Sequence, residues 1–325
     1  MSQIPFYDAA AIASAVSMAD AIELMRGAFA SLTRGEAAVP LRTNMPLEGG
    51  DCALVMPVYL PASGHYGVKT VSVNHSNPAR GLPRLHAVFT LFDAPTGVPL
   101  AAFDAEFVTA LRTGAGAGLA TDLLASPGPK RLALFGAGHQ AVTQLQAMAA
   151  VRELQEVVVF ATSAERAAAF ARAQSAHYPF PLRAASDPAE LQQADLICTA
   201  TSASAPVFAD ANLGPVVHIN GVGSYHKGMA EVPPATVARA LLVADQRSAC
   251  LAEAGDITQA VASGTIGEQH IYAELGELCA GLRPLPAAGQ GVSFFKSVGN
   301  AVQDLAVASQ AWRVLVARAA GQGEP

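Results

Sequence analysis

The sequence predicts an α/β fold with a Rossmann-type, doubly wound parallel sheet in its second half, and three observations carry that expectation. From about residue 127 onward, short apolar runs of strand length alternate with helical patterns, which is the rhythm of successive βαβ units. The first of these runs ends in a glycine-rich turn that opens a helix, an arrangement that lets backbone approach a pyrophosphate. The residues before it carry strand-like runs joined by proline and glycine turns at hairpin spacing. That pattern calls for an antiparallel or mixed sheet.

Taken in order, Met18 to Leu32 places apolar residues at helical spacing behind Ser17, whose hydroxyl suits a helix cap. Cys52 to Leu60, Tyr66 to Val73 and Leu85 to Phe92 are rich in β-branched and aromatic residues and read as strands. Turns fall between them at Pro61-Ala-Ser-Gly64 and from Asn77-Pro78 to Gly81-Leu-Pro83. Pro127-Gly-Pro129 then breaks the chain. Beyond it the strand candidates are Arg131 to Phe135, Glu156 to Ala161, Asp195 to Ala200, Val216 to Asn220 and Leu241 to Asp245, with helices over Gln140 to Val151 and Ala164 to Ala176. A last helical pattern, from about Val298 to Arg318, follows the parallel-sheet segment and is expected to fold back onto the first domain.

The 325 residues are 51% hydrophobic and 14% charged, enough apolar material for about two domains with buried cores. A net charge of −6 and scattered arginines argue against a nucleic-acid or membrane-surface role. No apolar run reaches transmembrane length. The opening Met-Ser-Gln-Ile-Pro-Phe lacks the basic-then-apolar pattern of a signal peptide, so a cytoplasmic location is expected. Cys52, Cys198, Cys250 and Cys279 are far apart, without CxxC spacing, and neither a zinc site nor a disulfide framework is expected. No histidine or carboxylate cluster suggests another metal, and no GxSxG elbow suggests a serine nucleophile.

The sharpest motif is Gly136-Ala137-Gly138-His139-Gln140-Ala141. Gly136 permits the tight turn, Gly138 the close approach of a pyrophosphate, and Ala141 close helix–strand packing, while the helix start offers free N–H groups to phosphate. An NAD enzyme usually ends its second strand with an acid that reads the ribose. Here that position is Ala161, followed by Thr162, Ser163 and Arg166, groups suited to a 2′-phosphate. NADP is therefore preferred over NAD.

Lys69 stands in the otherwise apolar strand Gly67-Val68-Lys69-Thr70-Val71, where a charge is costly unless paired or used. Arg112 precedes a run of small residues that reads as a packed helix, and Arg42 stands in Pro40-Leu41-Arg42-Thr43. Two arginines can fork a buried carboxylate, and a lysine of lowered pKa can transfer a proton. For each residue alone a surface or structural ion pair is the more frequent explanation, and spacing does not show that the three converge. His218, in an apolar strand, reads as a satisfied core residue.

Together these segments resemble the ornithine cyclodeaminase/mu-crystallin family, nearly end to end: Arg42-Thr43, Gly67-Val68-Lys69, Gly81-Leu82-Pro83, Ala110-Leu111-Arg112-Thr113, Gly136 to Gln140, Thr199 to Ser202, His218 to Gly223, Glu253 to Asp256 and Phe295 to Gly299. The resemblance implies a Rossmann dinucleotide-binding domain, residues 121–298, inserted into a split substrate-binding and dimerisation domain, residues 1–120 plus 299–325, with two subunits joining their sheets as a homodimer. It implies a nicotinamide cofactor and a small amino-acid or imino-acid carboxylate as substrate. Arg42, Lys69 and Arg112 match the family's substrate and catalytic cluster, with Val298 beside the substrate. Thr113, Gly136 through Gln140, Thr201, Val222, Gly223 and Ser297 match its cofactor contacts. The chain also departs from the family pattern. The aspartate that ornithine cyclodeaminases carry after the HINxVG segment is replaced by Tyr225, and the one that many other members place nearby is replaced by Gly228. Arg84 follows Gly81-Leu82-Pro83 in place of a small hydroxyl residue, and Glu231 is the nearest acid, expected to cap or lead the next helix. An imine reductase needs neither aspartate. Reduction of a small imino acid of the Δ1-pyrroline-2-carboxylate or ketimine type is therefore the leading expectation, ahead of ornithine cyclodeamination and of a silent ligand-binding role.

Overall fold

The computed structural model describes residues 3–321, and the chain divides into two units. One is formed by the chain up to Arg112 and again from Asn300, the other by Thr113–Gly299. The first division falls at Arg112/Thr113, inside the helix Ala105–Leu124, rather than near residue 120.

The first unit holds a six-stranded sheet made of β1 (Phe6–Tyr7), β2 (Thr43–Pro46), β3 (Cys52–Leu60), β4 (His65–Val73), β5 (Leu85–Asp93) and β6 (Pro99–Asp104), in the order β1-β6-β5-β4-β3-β2. All neighbours are antiparallel except β1 with β6, so the expected mixed sheet is present. Side chains alternate across it: His65, Gly67, Lys69 and Val71 of β4 are buried, and Thr70 is exposed. The helix Met18–Thr33 begins with a capping box, in which Ser17 Oγ accepts from Asp20 N–H and Asp20 accepts from Ser17 N–H. The C-terminal helix Ala301–Gly321 packs on this helix and on β3, β4 and β5, and so returns to the first unit. It starts three residues later than its sequence pattern suggests, because Ser297 to Gly299 are tied to Asp245.

The second unit holds an all-parallel sheet of eight strands: β7 (Lys130–Phe135), β8 (Leu154–Phe160), β9 (Leu182–Ala184), β10 (Leu196–Thr199), β11 (Val217–Gly221), β12 (Leu241–Ala244), β13 (Ile271–Glu274) and β14 (Val292–Lys296). Their order is β13-β12-β14-β11-β10-β7-β8-β9. From the β7/β10 pair the order runs outward through β8 and β9 on one side and through β11, β12 and β13 on the other, with β14 inserted between β11 and β12. This is the doubly wound arrangement whose ligand crevice lies beyond the carboxyl ends of the strands. Its core includes Ala133, Ile197, Ile219, Leu242 and Phe294. The small-residue run of Ala105–Leu124 has a packing reason: a Cβ on Gly114 would lie 2.5 Å from the Thr143 carbonyl oxygen. No helix among the described residues is long and apolar enough to cross a membrane.

Candidate functional site

In the first unit, strand register builds one row of side chains. Met56 of β3 pairs with Lys69 of β4, which pairs with Phe89 of β5. Arg42 directly precedes β2, whose first residue, Thr43, pairs with Val55, so the chain delivers Arg42 beside Met56. Lys69 is 3% exposed. Its Nζ donates to Asp304 Oδ2 at 2.6 Å and to Thr109 Oγ1 at 3.4 Å. The other oxygen of Asp304 accepts from Arg112 Nε at 3.2 Å, and Arg112 Nη1 donates to Gln303 Oε1 at 3.3 Å. Arg112 keeps its Nη2 group and one Nη1 hydrogen for a ligand, a fork suited to a carboxylate. Burial pulls the Lys69 pKa down to about 8; Asp304 opposes that fall, while Arg112 and Arg42 add to it. A lysine poised there can hold or release a proton near neutral pH. Arg42, Lys69 and Arg112 are thus brought together, and Asp304 is a member of the cluster that sequence reading missed.

In the second unit, β7 ends at Phe135 and the next helix begins at His139. Gly136 adopts φ +119°, and a Cβ there would lie 2.5 Å from the Ala200 carbonyl oxygen, so the turn requires glycine. Gly138 has nothing within 4 Å of a built Cβ. No side chain caps this helix start, and the first N–H groups of an α-helix have no intrahelical acceptor. A cavity of about 1070 Å³ opens here, lined by Gly136, Gly138, His139, Thr162, Arg166 and Thr201 among others. The open face at Gly138 and the free helix start suit a dinucleotide phosphate. Ser163 takes a different place from the one expected. It does not line the cavity, and its hydroxyl caps the next helix by accepting from Arg166 N–H at 3.3 Å. That leaves Thr162 and Arg166 as the cavity's groups at the end of β8.

Three buried carboxylates shape the loops at the strand ends. Glu231, fully buried, accepts on Oε1 from Thr201 N–H and Oγ1, and on Oε2 from Thr199 Oγ1, Gly223 N–H and Ser224 N–H. It therefore staples the loops after β10 and β11 and caps no helix, contrary to expectation. Asp245 accepts from Ser297 Oγ and from the N–H groups of Val298 and Gly299, which sets the loop after β14. Asp256 accepts from the N–H groups of Glu231 and Val232. Its other oxygen meets the buried Lys296 ammonium at 2.9 Å, as an ion pair without hydrogen-bond alignment. Thr201, Gly223, Ser297 and Val298 are thereby held at the carboxyl ends of the strands. Val222 joins them through its N–H bond to the Thr199 carbonyl, and Thr113 is buried in the helix Ala105–Leu124. The sequence marks Glu231 as the nearest acid to the altered loop and Asp256 as the end of a family segment, but gives Asp245 no role beyond the end of a strand.

The loop after β11 carries no carboxylate before Glu231. Tyr225 is 55% exposed and packs edge-on against His226, whose Nδ1 accepts from Gly228 N–H. His218 is the core histidine expected: it bonds Ser293 and Asn220, and burial takes its pKa down to about 3. Among the described residues no group of histidine, cysteine and carboxylate side chains suits a metal ion.

Known proteins match this chain over most of its length. A profile of the ornithine cyclodeaminase/mu-crystallin family matches residues 5–317. The chain is 33% identical over 310 residues to a Delta(1)-pyrroline-2-carboxylate reductase of Bacillus cereus, covering 94% of this chain and 95% of that one. Among solved structures, the Delta(1)-pyrroline-2-carboxylate reductase of Thermococcus litoralis in complex with NADH and L-proline gives a TM-score of 0.92 at 34% identity, over 97% of this chain and 98% of that one. An archaeal alanine dehydrogenase dimer with bound NAD gives 0.89 at 28% identity, over 97% of each chain.

Proposed function

The chain belongs to the ornithine cyclodeaminase/mu-crystallin family, and on that premise we propose that it is an NAD(P)-dependent oxidoreductase reducing a small ketimine carboxylate of the Δ1-pyrroline-2-carboxylate type. The observation that carries the choice of substrate is the commitment of Asp304. It is the only carboxylate hydrogen-bonded to Lys69 or Arg112 among the described residues, and each of its oxygens already serves one of those cations. The cluster therefore suits a substrate carboxylate and offers no acid for a side-chain ammonium such as that of ornithine. Glu231, the nearest acid to the altered loop, is buried and engaged on both oxygens. The nicotinamide, when bound, supplies the hydride. Arg42 and Arg112 bind the substrate carboxylate, and Lys69 in its ammonium form delivers a proton to the imine nitrogen.

The absence of an acid at Ala161, with Thr162 and Arg166 on the cavity wall, favours NADPH over NADH. Tyr59 and Val88, each 40% exposed, lie on the sheet face opposite Lys69 by strand alternation. That apolar face supports a homodimer formed through the sheet, to be checked by sedimentation. Four cysteines outside any disulfide fit a reducing, cytoplasmic setting.

The test is oxidation of NADPH and of NADH with Δ1-pyrroline-2-carboxylate, run beside ornithine without added reductant. Imine-dependent oxidation, faster with NADPH at equal subsaturating concentration, is expected. Because the working form of Lys69 is the ammonium, the rate should fall as pH rises through about 8, and Lys69→Ala should lose about 100-fold or more in kcat. Proline and ammonia from ornithine alone would overturn the substrate assignment.

A further inference from the structure

We propose that Asp304 is a positioning residue, one carboxylate that holds the Lys69 ammonium and the Arg112 guanidinium at once and so couples the proton donor to the carboxylate fork. The inference rests on the imine-reduction reading and adds a residue to it. Asp304 lies in the helix Ala301–Gly321 and is fully buried. Its oxygens do not share a partner: Oδ2 takes Lys69 Nζ at 2.6 Å and Oδ1 takes Arg112 Nε at 3.2 Å. The adjacent Gln303 adds to the grip, accepting from Arg112 Nη1 and donating to the Arg112 carbonyl oxygen. A single turn of one helix thus fixes two side chains delivered by a strand and by another helix.

The groups facing Lys69 define what Asp304 must do. From the helix Ala105–Leu124 come Thr109 and the Arg112 cation, from the segment before β2 the Arg42 cation, and from β3 and β5 the apolar Met56 and Phe89. Asp304 is the one negative group in that set. Two cations and an apolar surround push Lys69 toward its neutral amine, and Asp304 opposes them. A reduced dinucleotide, when bound, would supply the hydride, with its electron pair, that the imine carbon accepts. The imine π bond becomes the nitrogen lone pair, which takes a proton from Lys69, and the Lys69 amine is reprotonated from solvent. Without Asp304 a larger share of Lys69 would rest as the neutral amine at neutral pH, with less ammonium to donate.

The chain has only four lysines, Lys69, Lys130, Lys227 and Lys296, so side-chain 15N-lysine labelling gives a spectrum in which Lys69 is assigned by its loss in Lys69→Arg. Titration of the full-length protein should find the Lys69 midpoint near 8 in the wild type, and lower by about one unit or more in Asp304→Asn. The fall of imine reduction with rising pH should move down by the same amount, with NADPH affinity unchanged. Asp304→Glu keeps the charge and shifts the oxygen, so the midpoint should stay near the wild-type value while kcat drops. A Lys69 midpoint unmoved in Asp304→Asn overturns the proposal, as does an unmoved pH limb with kcat falling only in step with Tm. If Asp304→Asn does not fold, Asp304→Glu decides, and a wild-type kcat in that variant overturns it. Failure of the wild type to reduce any imine defeats the proposed reaction, while the NMR titration still judges what Asp304 holds.

Discussion

Glu231 is fully buried and takes donors from two loops on its two oxygens, in bonds that are buried or partly buried. In Glu231→Gln the new amide would turn a donor toward backbone N–H groups that need an acceptor. Each buried donor left unpaired costs about 1–3 kcal/mol, so the variant should lose roughly that much stability, read by urea unfolding. Because Thr201 and Gly223 stand on those loops, its affinity for NADPH should weaken by about tenfold or more, while KM for the imine changes little. An NADPH Kd equal to the wild type would show that the loops do not need the staple. Legibility differs among residues for a plain reason. Lys69 is conspicuous in the sequence because a charge interrupts an apolar strand. Asp304 is not, because a lone aspartate among helical residues looks solvated, and its partners lie 235 and 192 residues away. Charge commitments at that range exist only once the fold has closed.

Elements fix the cofactor turn through two glycines that do different work. Gly136 has both a positive φ and a carbonyl in the path of any Cβ, so Gly136→Ala should cost at least about 1–3 kcal/mol of stability. Gly138 has an extended backbone, φ −105°, and open space. Gly138→Ala should therefore melt like the wild type and lose dinucleotide affinity, because the methyl fills the ground a pyrophosphate would occupy. Equal loss of stability in both variants, measured by thermal unfolding, would contradict that division of labour. The turn was readable beforehand because strand, glycines and helix are contiguous. β14 was not. Its five residues, Val292–Lys296, follow a glycine- and proline-rich stretch and include a lysine, yet they lie between β11 and β12 within the sheet. Lys296 is tolerated there because Asp256 meets it: burial opposes the ammonium, but Asp256 and Glu231 outweigh burial and raise its pKa. Nothing in the run itself announces the partner that makes it a strand.

At the scale of the molecule, one unit is continuous in sequence and the other is closed by the two ends of the chain. The continuous unit carries its own core and its own cavity, whereas the first unit depends on the C-terminal helix both for cover over β3, β4 and β5 and for Asp304. A fragment of residues 105–299, begun at Ala105 to keep its first helix whole, should therefore fold cooperatively and bind NADPH. Saturable quenching or enhancement of nicotinamide fluorescence would register that binding. Ligand at about 100 times its Kd should raise the fragment's stability by about 2.7 kcal/mol, as it should in the full chain. The fragment should reduce no imine, since Arg42 and Lys69 are gone and Arg112 has lost its partner. The reciprocal truncation, ending before Ala301, removes the helix that buries Lys69 and should leave the first unit unable to fold around its sheet, even with NADPH present. If the fragment bound no dinucleotide while remaining folded, the cavity beside Gly136 could not be the cofactor cradle, and the assignment of Thr162 and Arg166 would fall with it.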